Sequence, residues 1–399
     1  MAEPHADPLA GVQAGGPPGT IPFVYGHPDP DLLPLEQVAQ AAQEALQRAG
    51  RLALQYGPEQ GYGPLLDYLI AKLERDEGLS LTRAQMMITA GAAQGLDAIA
   101  RRFTRPGDLV VVEAPSYHEA IATLRDYPLE LRQVPCDAEG LRTDLLAQRL
   151  EDWAREGRRP AFLYTIPSFQ NPSGATLPHA RREELVRLAA TYDFWIVEDD
   201  VYRDLYFRDP PPPSLFALSG GRRVLRLGSF SKILAPGLRL GWVVGPPEAI
   251  QHLVHSGLKG NEGGSNPLSC HIAYAFCRNG WLEPHIARLR AAYRARRDAL
   301  LAALAKHMPE GVQWSRPEGG FFLWVRLPEG LAAREVLARA EARKVTFAPG
   351  EAFFAEGGGE GEFRLPFSFV PPEKMDEGGA VLGDVIRGLL REGQARSGG

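Results

Sequence analysis

Between residues 64 and 285, short continuous apolar segments alternate with helical patterns, and this alternation is what most restricts the fold. The segments are runs of Val, Ile, Leu and Phe without interleaved polar residues, which indicates strands buried on both faces. Helices between such strands predict an α/β fold with a mostly parallel, doubly wound sheet flanked by helices. The predicted strands are Met86–Thr89, Leu109–Glu113, Ala161–Ile166, Phe194–Glu198, Val224–Leu227 and Leu240–Val244.

The C-terminal residues have a different pattern. A long helical pattern leads into short strands around Phe321–Leu327 and Phe363–Phe369, which indicates a smaller α+β domain. We therefore expect a large domain at 46–284 and a small domain formed by 21–45 together with 285–399. Residues 1–20 are rich in Gly, Pro and Ala and are expected to form a disordered N-terminal arm.

Charge and composition restrict the partners and the location. The net charge is −5 with a pI of about 6.0, and basic residues are scattered, so the basic face of a nucleic-acid-binding protein is not expected. The three cysteines have neither metal-ligand spacing nor a disulfide pattern, which fits a reducing cytoplasm. No signal peptide is recognisable, and no apolar run approaches the roughly 20 residues that cross a bilayer. The sequence predicts a cytoplasmic protein without a membrane partner.

In open parallel sheets, ligands bind beyond the carboxyl ends of the strands, so the residues after each predicted strand are candidates for a site. Small residues after the first strand would let backbone N–H groups approach a phosphate at a helix N-terminus. A lysine among phosphate binders, with an acid for a ring nitrogen, is what pyridoxal 5′-phosphate (PLP) requires. No histidine stands among these strand ends to support a metal, and no G-x-G-x-x-G motif supports a dinucleotide. The residues in question are Ala92, Ala93, Gln94, Tyr117, Asn171, Glu198, Asp199, Asp200, Tyr202, Ser229, Ser231, Lys232 and Arg239.

Five segments also match a known family, in the family's order. They are Tyr56-Gly57-Pro58 through Gly61-Tyr62, Ala114-Pro115-Ser116-Tyr117, Gln170-Asn171-Pro172-Ser173-Gly174, Glu198-Asp199-Asp200 with Tyr202, and Ser229-x-Ser231-Lys232 with Pro236-Gly237-Leu238-Arg239. With them, the chain from about Phe23 to about Leu389 resembles the class I/II aminotransferases of PLP fold type I. It is most similar to the group that contains the 2-aminoadipate and kynurenine aminotransferases.

The resemblance implies roles for five catalytic or cofactor-binding residues. Lys232 would hold the cofactor as an aldimine and then move the substrate Cα proton as base and acid. Asp199 would pair with the pyridinium nitrogen and keep it protonated. Tyr202, together with Asn171, would hydrogen-bond the phenolic oxygen of the cofactor, and Tyr117 would stack on its ring.

The resemblance also implies how phosphate and substrate are held. The phosphate would be bound by Ala92, Ala93, Gln94, Ser229, Ser231 and Arg239, and by Tyr56 of a neighbouring subunit. The active site would then lie at a homodimer interface, where the Gly/Asn-rich loop of residues 257–267 matches another cross-subunit segment. Arg364 would bind the substrate α-carboxylate, with Asn171 and Gly26 as further substrate contacts.

The expected function is transfer of an amino group from an α-amino acid to a 2-oxo acid, 2-oxoglutarate or pyruvate, by a ping-pong mechanism. The same residues also suit a PLP-dependent decarboxylase, lyase or oxidase, because PLP stabilises whichever carbanion is formed. A third alternative is a ligand-sensing module, since some bacterial regulators fuse this fold to a helix-turn-helix domain. Because only about twenty Gly/Pro-rich residues precede the predicted fold, such a domain is not expected here.

Overall fold

The computed structural model describes residues 19–262 and 264–397, so the predicted N-terminal arm lies almost entirely outside the described residues. The described strands belong to two sheets that share no strand. In chain order they are β1 (Ile21–Phe23), β2 (Met86–Thr89), β3 (Leu109–Ala114), β4 (Glu130–Asp137), β5 (Gly140–Leu141), β6 (Pro160–Thr165), β7 (Trp195–Asp199), β8 (Val224–Ser229), β9 (Gly241–Val244), β10 (Gln313–Trp314), β11 (Phe322–Arg326), β12 (Val345–Pro349) and β13 (Glu362–Pro366).

The first sheet has eight strands in the order β2-β9-β8-β7-β6-β3-β4-β5. The pairs from β8 through β7, β6 and β3 to β4 are parallel, whereas β9 is antiparallel to both of its neighbours, β2 and β8. The strands β2, β3, β8 and β9 are buried along their whole length, as the continuous apolar runs predicted. The mostly parallel α/β sheet expected from the sequence is confirmed.

Strand β4 was not among the predicted strands. Its sequence mixes polar and apolar residues, and Val134 is its one fully buried side chain. A strand near the edge of a sheet does not need a continuous apolar run, because part of its surface faces water. The pattern used to find the inner strands therefore does not detect it.

Helices cover the sheets, and each of the longer ones buries one face. In the helix Ala92–Phe103, Leu96, Ile99 and Ala100 are buried, and a Cβ at Gly95 would lie 2.9 Å from a methyl carbon of Leu227. The helix can therefore pack closely on β8. The helices are Leu35–Ala49, Gly63–Glu77, Ala92–Phe103, His118–Arg125, Thr143–Arg155, His179–Tyr192, Leu215–Leu218, Pro247–Val254, Gly257–Glu262, Pro267–Arg278, Leu282–His307, Ala333–Glu341 and Pro372–Ser397.

Two helices differ from the sequence-based expectation. The segment 257–267, expected to be a loop, contains the short helix Gly257–Glu262. The helix Leu35–Ala49 runs across the expected domain boundary near residue 46 and packs against the helix Pro267–Arg278. Within the residues that the structure describes, no helix has the length and apolar character needed to cross a membrane.

The second sheet has five strands in the order β1-β12-β13-β11-β10. Strand β1 pairs in parallel with β12, with Phe23 opposite Phe347, so the start of the described chain joins the C-terminal sheet. Strands β11 and β13 are antiparallel, with Trp324 opposite Arg364. This sheet covers the cavity described next.

Candidate active site

A cavity of about 280 Å³ lies at the carboxyl ends of β7 and β8, where the second sheet approaches the first. Twelve of the fourteen residues predicted for the site line it, and Gln94 and Tyr56 do not. The twelve are Gly26, Ala92, Ala93, Tyr117, Asn171, Asp199, Tyr202, Ser229, Ser231, Lys232, Arg239 and Arg364. Residues that follow different strands and are far apart in the sequence therefore lie around one cavity, as the position of ligand sites in open parallel sheets predicts.

The three consecutive carboxylates after β7 face different surroundings. Glu198 accepts hydrogen bonds from the backbone N–H groups of Leu215 and Phe216, at 2.8 and 2.9 Å. Asp200 forms a buried ion pair of 2.8 Å with Arg226. Asp199 is the one of the three that lines the cavity. The acidic run is therefore two structural carboxylates and one that can serve a ligand.

Asp199 is buried and has one free oxygen. Its Oδ2 atom accepts a hydrogen bond of 2.6 Å from the Tyr164 hydroxyl, while Oδ1 has no hydrogen-bond partner among the described residues. Burial raises the pKa of Asp199 to about 6, and the hydrogen bond from Tyr164 opposes that shift. A buried carboxylate oxygen without a partner is costly, so this one suits a ligand that brings an N–H donor.

Lys232 follows the end of β8 by three residues. Its Nζ atom donates a hydrogen bond of 3.2 Å to the backbone oxygen of Gly26 and lies 5.9 Å from the ring centre of Tyr202. Burial lowers the pKa of Lys232 to about 8, against the smaller opposing effects of the Glu119 and Asp199 charges. A large fraction of this amine is therefore neutral near pH 8, which is the form that acts as a nucleophile or base.

A second part of the cavity is built for an anion. The helix Ala92–Phe103 begins there, and its first backbone N–H groups have no partner within the helix. Arg239 lies alongside, and a Cβ at Gly91 would be 2.8 Å from its Nη2 atom, so glycine is what permits this approach. Ser229 is fixed nearby, because its Oγ accepts from the Ser231 backbone N–H at 3.0 Å. Together these groups suit a phosphate.

Gln94 has a different environment from the one expected. Its side-chain oxygen accepts a hydrogen bond of 2.6 Å from the backbone N–H of Ala90 and another of 3.3 Å from Ser265. The side chain therefore folds back over the start of its own helix and does not line the cavity. Its backbone N–H belongs to the same helix N-terminus as those of Ala92 and Ala93.

Arg364 also lines the cavity, from strand β13 of the second sheet. Its Nη1 atom donates to the Asn171 side-chain oxygen at 2.9 Å, and Nη2 donates to the Val24 backbone oxygen at 2.7 Å. The guanidinium carbon is 4.4 Å from the ring centre of Phe322 and 4.9 Å from that of Phe353. Burial lowers the pKa of Arg364 to about 10, so it stays cationic at neutral pH. Its Nε has no partner among the described residues and can donate to a carboxylate.

Tyr202 and Tyr117 close two walls of the cavity. The Tyr202 ring packs edge-on against the rings of Phe321 and Phe322, at 5.4 and 5.7 Å between centres, and burial raises the pKa of its hydroxyl. Burial also raises the pKa of Tyr117, whose hydroxyl donates a hydrogen bond to Glu119. Both phenols are therefore neutral hydrogen-bonding groups at physiological pH.

Sequence reasoning missed several residues that line the cavity or support it. The apolar pattern places Tyr164 in a buried strand and does not identify its hydroxyl as a hydrogen-bond donor to Asp199. Glu119, His27 and Phe322 line the cavity without belonging to a predicted motif. The position of Tyr164, one residue before the end of β6 on the same sheet edge, was the available signal.

Tyr56 lies outside the cavity and is 76% exposed. Leu52 and Leu54, just before it, are similarly exposed at 74% and 70%. Large apolar side chains close together at a surface are typical of a protein–protein contact.

The comparisons with known proteins agree with this geometry. The family model described as aminotransferase class I and II matches residues 24–382. The chain is 40% identical over 372 residues to aromatic-amino-acid aminotransferase 1 of Thermococcus litoralis, covering 93% of this chain and 89% of the relative. It is 39% identical over 376 residues to 2-aminoadipate transaminase of Thermus thermophilus, covering 94% and 91%.

A solved structure is also similar along nearly the whole chain. The kynurenine aminotransferase of Pyrococcus horikoshii, in complex with PMP, superposes with a TM-score of 0.90 at 38% identity, covering 98% of this chain and 96% of the other. The architecture is therefore that of PLP fold type I, as the resemblance implied.

Proposed function

This chain belongs to the class I and II aminotransferases and transfers amino groups with pyridoxal phosphate as its cofactor, and from this membership we propose its reaction in more detail. It moves the amino group of an α-amino acid to a 2-oxo acid, 2-oxoglutarate or pyruvate, in the two half-reactions of a ping-pong mechanism. The observation that carries the proposal is that one cavity holds Lys232, the free oxygen of Asp199 and the Arg364 guanidinium.

The residues present fit the cofactor. Asp199 Oδ1 is buried without a partner, which suits a protonated ring nitrogen. The start of the helix Ala92–Phe103, with Ser229, Ser231 and Arg239, suits the phosphate. Tyr117 supplies a face for the ring, and Asn171 with Tyr202 supplies polar groups for its phenolic oxygen. When bound, the cofactor supplies a ring that accepts the electrons of the carbanion formed at the substrate Cα.

The chain's own residues divide the remaining work. The Lys232 amine would take the proton from the substrate Cα and deliver it to the C4′ carbon of the cofactor, and would carry it back in the second half-reaction. Asp199 keeps a proton on the ring nitrogen, and Tyr164 holds Asp199 in place through its hydrogen bond to Oδ2. Arg364 binds the α-carboxylate, with Asn171 and the backbone at Gly26 beside it, and so fixes the orientation of the Cα–H bond.

The cofactor-loaded protein, mixed with one amino acid at a time, tests this function. Amino acids that are substrates should convert the absorbance of the lysine-bound cofactor to that of the pyridoxamine form. Addition of 2-oxoglutarate or pyruvate should restore it and release the corresponding new amino acid. Ammonia or carbon dioxide release without amination of the 2-oxo acid would instead identify a lyase, oxidase or decarboxylase. If no amino acid changes the spectrum, the proposed function is wrong.

The rate at which cofactor adds to the cofactor-free protein should depend on pH through Lys232. Only the neutral amine reacts, and burial lowers its pKa to about 8. The second-order rate constant should therefore rise about tenfold per pH unit below this pKa and level off above it. Stopped-flow absorbance from about pH 6.5 to about pH 10 measures the profile. A rate that still rises steeply near the ordinary lysine pKa would contradict the low value.

We also infer a homodimer in which Tyr56 completes the phosphate site of the neighbouring subunit. The support is that Tyr56, Leu52 and Leu54 are exposed in the single chain and lie outside its own cavity. A mixture of inactive Lys232→Ala and impaired Tyr56→Ala chains should regain activity, because each hybrid dimer has one site with both native residues. Equal amounts should give about a quarter of the wild-type rate after subunit exchange. No recovery, with mixed dimers shown to form, would place Tyr56 elsewhere.

The location and the domain division are proposed on separate grounds. The three cysteines are unpaired, which supports a reducing cytoplasm. The two sheets support two domains, with a large domain over about 46–284 and a small one formed by 21–45 and 285–399. Cell fractionation tests the first proposal, and limited proteolysis near residue 285 tests the second.

A further inference from the structure

Glu119 lines the active-site cavity but has no role in the reaction proposed above. It lies in the first turn of the helix His118–Arg125, two residues after Tyr117, whose ring forms one wall of the cavity. Its carboxylate accepts a hydrogen bond from the Tyr117 hydroxyl. The side chain is exposed at the cavity mouth, and this hydrogen bond directs it toward the cavity.

Glu119 is the one charged residue lining the cavity that has no role assigned above. Asp199 is assigned to the ring nitrogen, Arg239 to the phosphate, Lys232 to the cofactor carbon and Arg364 to the substrate α-carboxylate. Glu119 is the other charged residue among those lining the cavity, and within the described part of the chain it forms no ion pair. Its charge is thus available to whatever part of the substrate projects toward the mouth.

The Glu119 charge also acts on two residues that are assigned to the reacting carbon and the substrate. After burial, which lowers the pKa of Lys232, the Glu119 charge is the largest opposing effect and exceeds that of Asp199. The same charge also opposes the lowering of the Arg364 pKa by burial, although its effect is smaller than those of Tyr202 and Tyr117. Coulomb interactions weaken with distance and with water between the charges. Glu119 therefore acts on the two residues that would hold the reacting carbon and the α-carboxylate.

We propose that Glu119 sets the charge preference for the substrate side chain. Amino acids and 2-oxo acids whose side chains are neutral or donate hydrogen bonds are accepted, and those with a second carboxylate are disfavoured. Among acceptors, pyruvate is then preferred over 2-oxoglutarate. This inference rests on the proposed function, because it concerns a substrate bound at the same site.

Glutamine and glutamate form a matched pair for the test, because they differ in an amide against a carboxylate. In the amino-acid half-reaction, the wild-type protein should favour glutamine over glutamate in kcat/KM by on the order of tenfold, the effect of a like charge in a partly solvated site. Glu119→Gln should bring the ratio close to unity and should raise the use of 2-oxoglutarate relative to pyruvate. Glu119→Asp keeps the charge and should keep the preference.

Binding of unreactive analogues gives a second readout that does not depend on turnover. Calorimetry on the cofactor-loaded protein should show a lower Kd for glutaramate than for glutarate, and Glu119→Gln should remove the difference. Glu183→Gln is the matched control, since it removes one carboxylate from the exposed face of the helix His179–Tyr192. It should change neither ratio. If Glu119→Gln does not take up cofactor, Glu119→Ala provides the same comparison.

The outcomes separate this inference from the function on which it rests. If no amino acid converts the cofactor spectrum, the proposed function itself is wrong. If amino acids react but the wild-type protein prefers glutamate, or if the ratio is the same in Glu119→Gln and Glu119→Ala as in the wild type, Glu119 does not set the preference. In that case transamination stands and this inference is overturned.

Discussion

Replacing Lys232 with alanine should remove the absorbance of covalently bound cofactor and lower transamination by roughly 10²–10⁴-fold or more, the range for loss of a positioned proton-transfer group. Two functions are lost at once, because the amine both attaches the cofactor and moves the Cα proton. The cofactor phosphate should still bind, since Arg239 and the helix N-terminus are untouched. Absorbance spectra before and after dialysis, together with single-turnover rates, measure both effects.

The fold should tolerate this change. Burial disfavours the charged form of Lys232, and among the described residues its amine donates a hydrogen bond to the Gly26 backbone oxygen alone, so alanine removes little that stabilises the chain. Lys306→Ala is a suitable control, because this lysine is 63% exposed and pairs with Asp376. Both variants should unfold near the wild-type temperature. Turnover that survives in Lys232→Ala would show that another residue is the base.

Replacing Arg364 with methionine should lower kcat/KM for amino acids by roughly 30- to 5000-fold, because about 2–5 kcal/mol of transition-state stabilisation is lost. The arginine is buried, and it is the cation assigned to the α-carboxylate. Methionine keeps an unbranched side chain between the rings of Phe322 and Phe353, so the loss should come from charge and hydrogen bonding. Steady-state kinetics with several amino acids measure the effect.

The carboxylate-specific role has a sharp control. A simple primary amine, which lacks the α-carboxylate, should react equally slowly with the wild type and with Arg364→Met. Arg326→Met changes an exposed arginine on the neighbouring strand β11, where the side chain pairs with Glu362, and should leave kcat/KM unchanged. An equal loss for amines and amino acids would mean that Arg364 supports the cavity without binding the carboxylate.

The fold and most of the cavity could be predicted from sequence because both depend on inner strands. Continuous apolar runs locate those strands, and their carboxyl ends must meet at one sheet edge, so the sequence alone predicts that Asp199 and Lys232 lie close together. Strand β4 was not predicted because a strand near the edge of a sheet, with part of its surface facing water, does not need a continuous apolar run. The helix Gly257–Glu262 escaped because glycine and asparagine have low helix propensity, which tertiary contacts override.

Side-chain direction is the part that sequence does not specify. Gln94 stands at the expected turn, but its side-chain oxygen accepts a hydrogen bond from the Ala90 N–H and the side chain does not line the cavity. Tyr164 and Glu119 depend on contacts made across strands or within the first turn of a helix, and such contacts appear only once the chain is folded. The proposed role of Tyr56 depends on a contact with a second subunit, which the sequence patterns of a single chain do not reveal.

The N-terminal segment reaches the active site through its backbone. The Val24 carbonyl binds Arg364, the Gly26 carbonyl binds Lys232, and the His27 carbonyl binds Ser368. Any residue offers a carbonyl, so the side chain at position 24 can change without loss of its contact, whereas the His27 side chain also lines the cavity. Gly26 is different, because a Cβ there would lie 2.5 Å from the Phe322 ring. The length of this segment must therefore be preserved. One inserted or deleted residue would move the Val24 and Gly26 carbonyls away from Arg364 and Lys232.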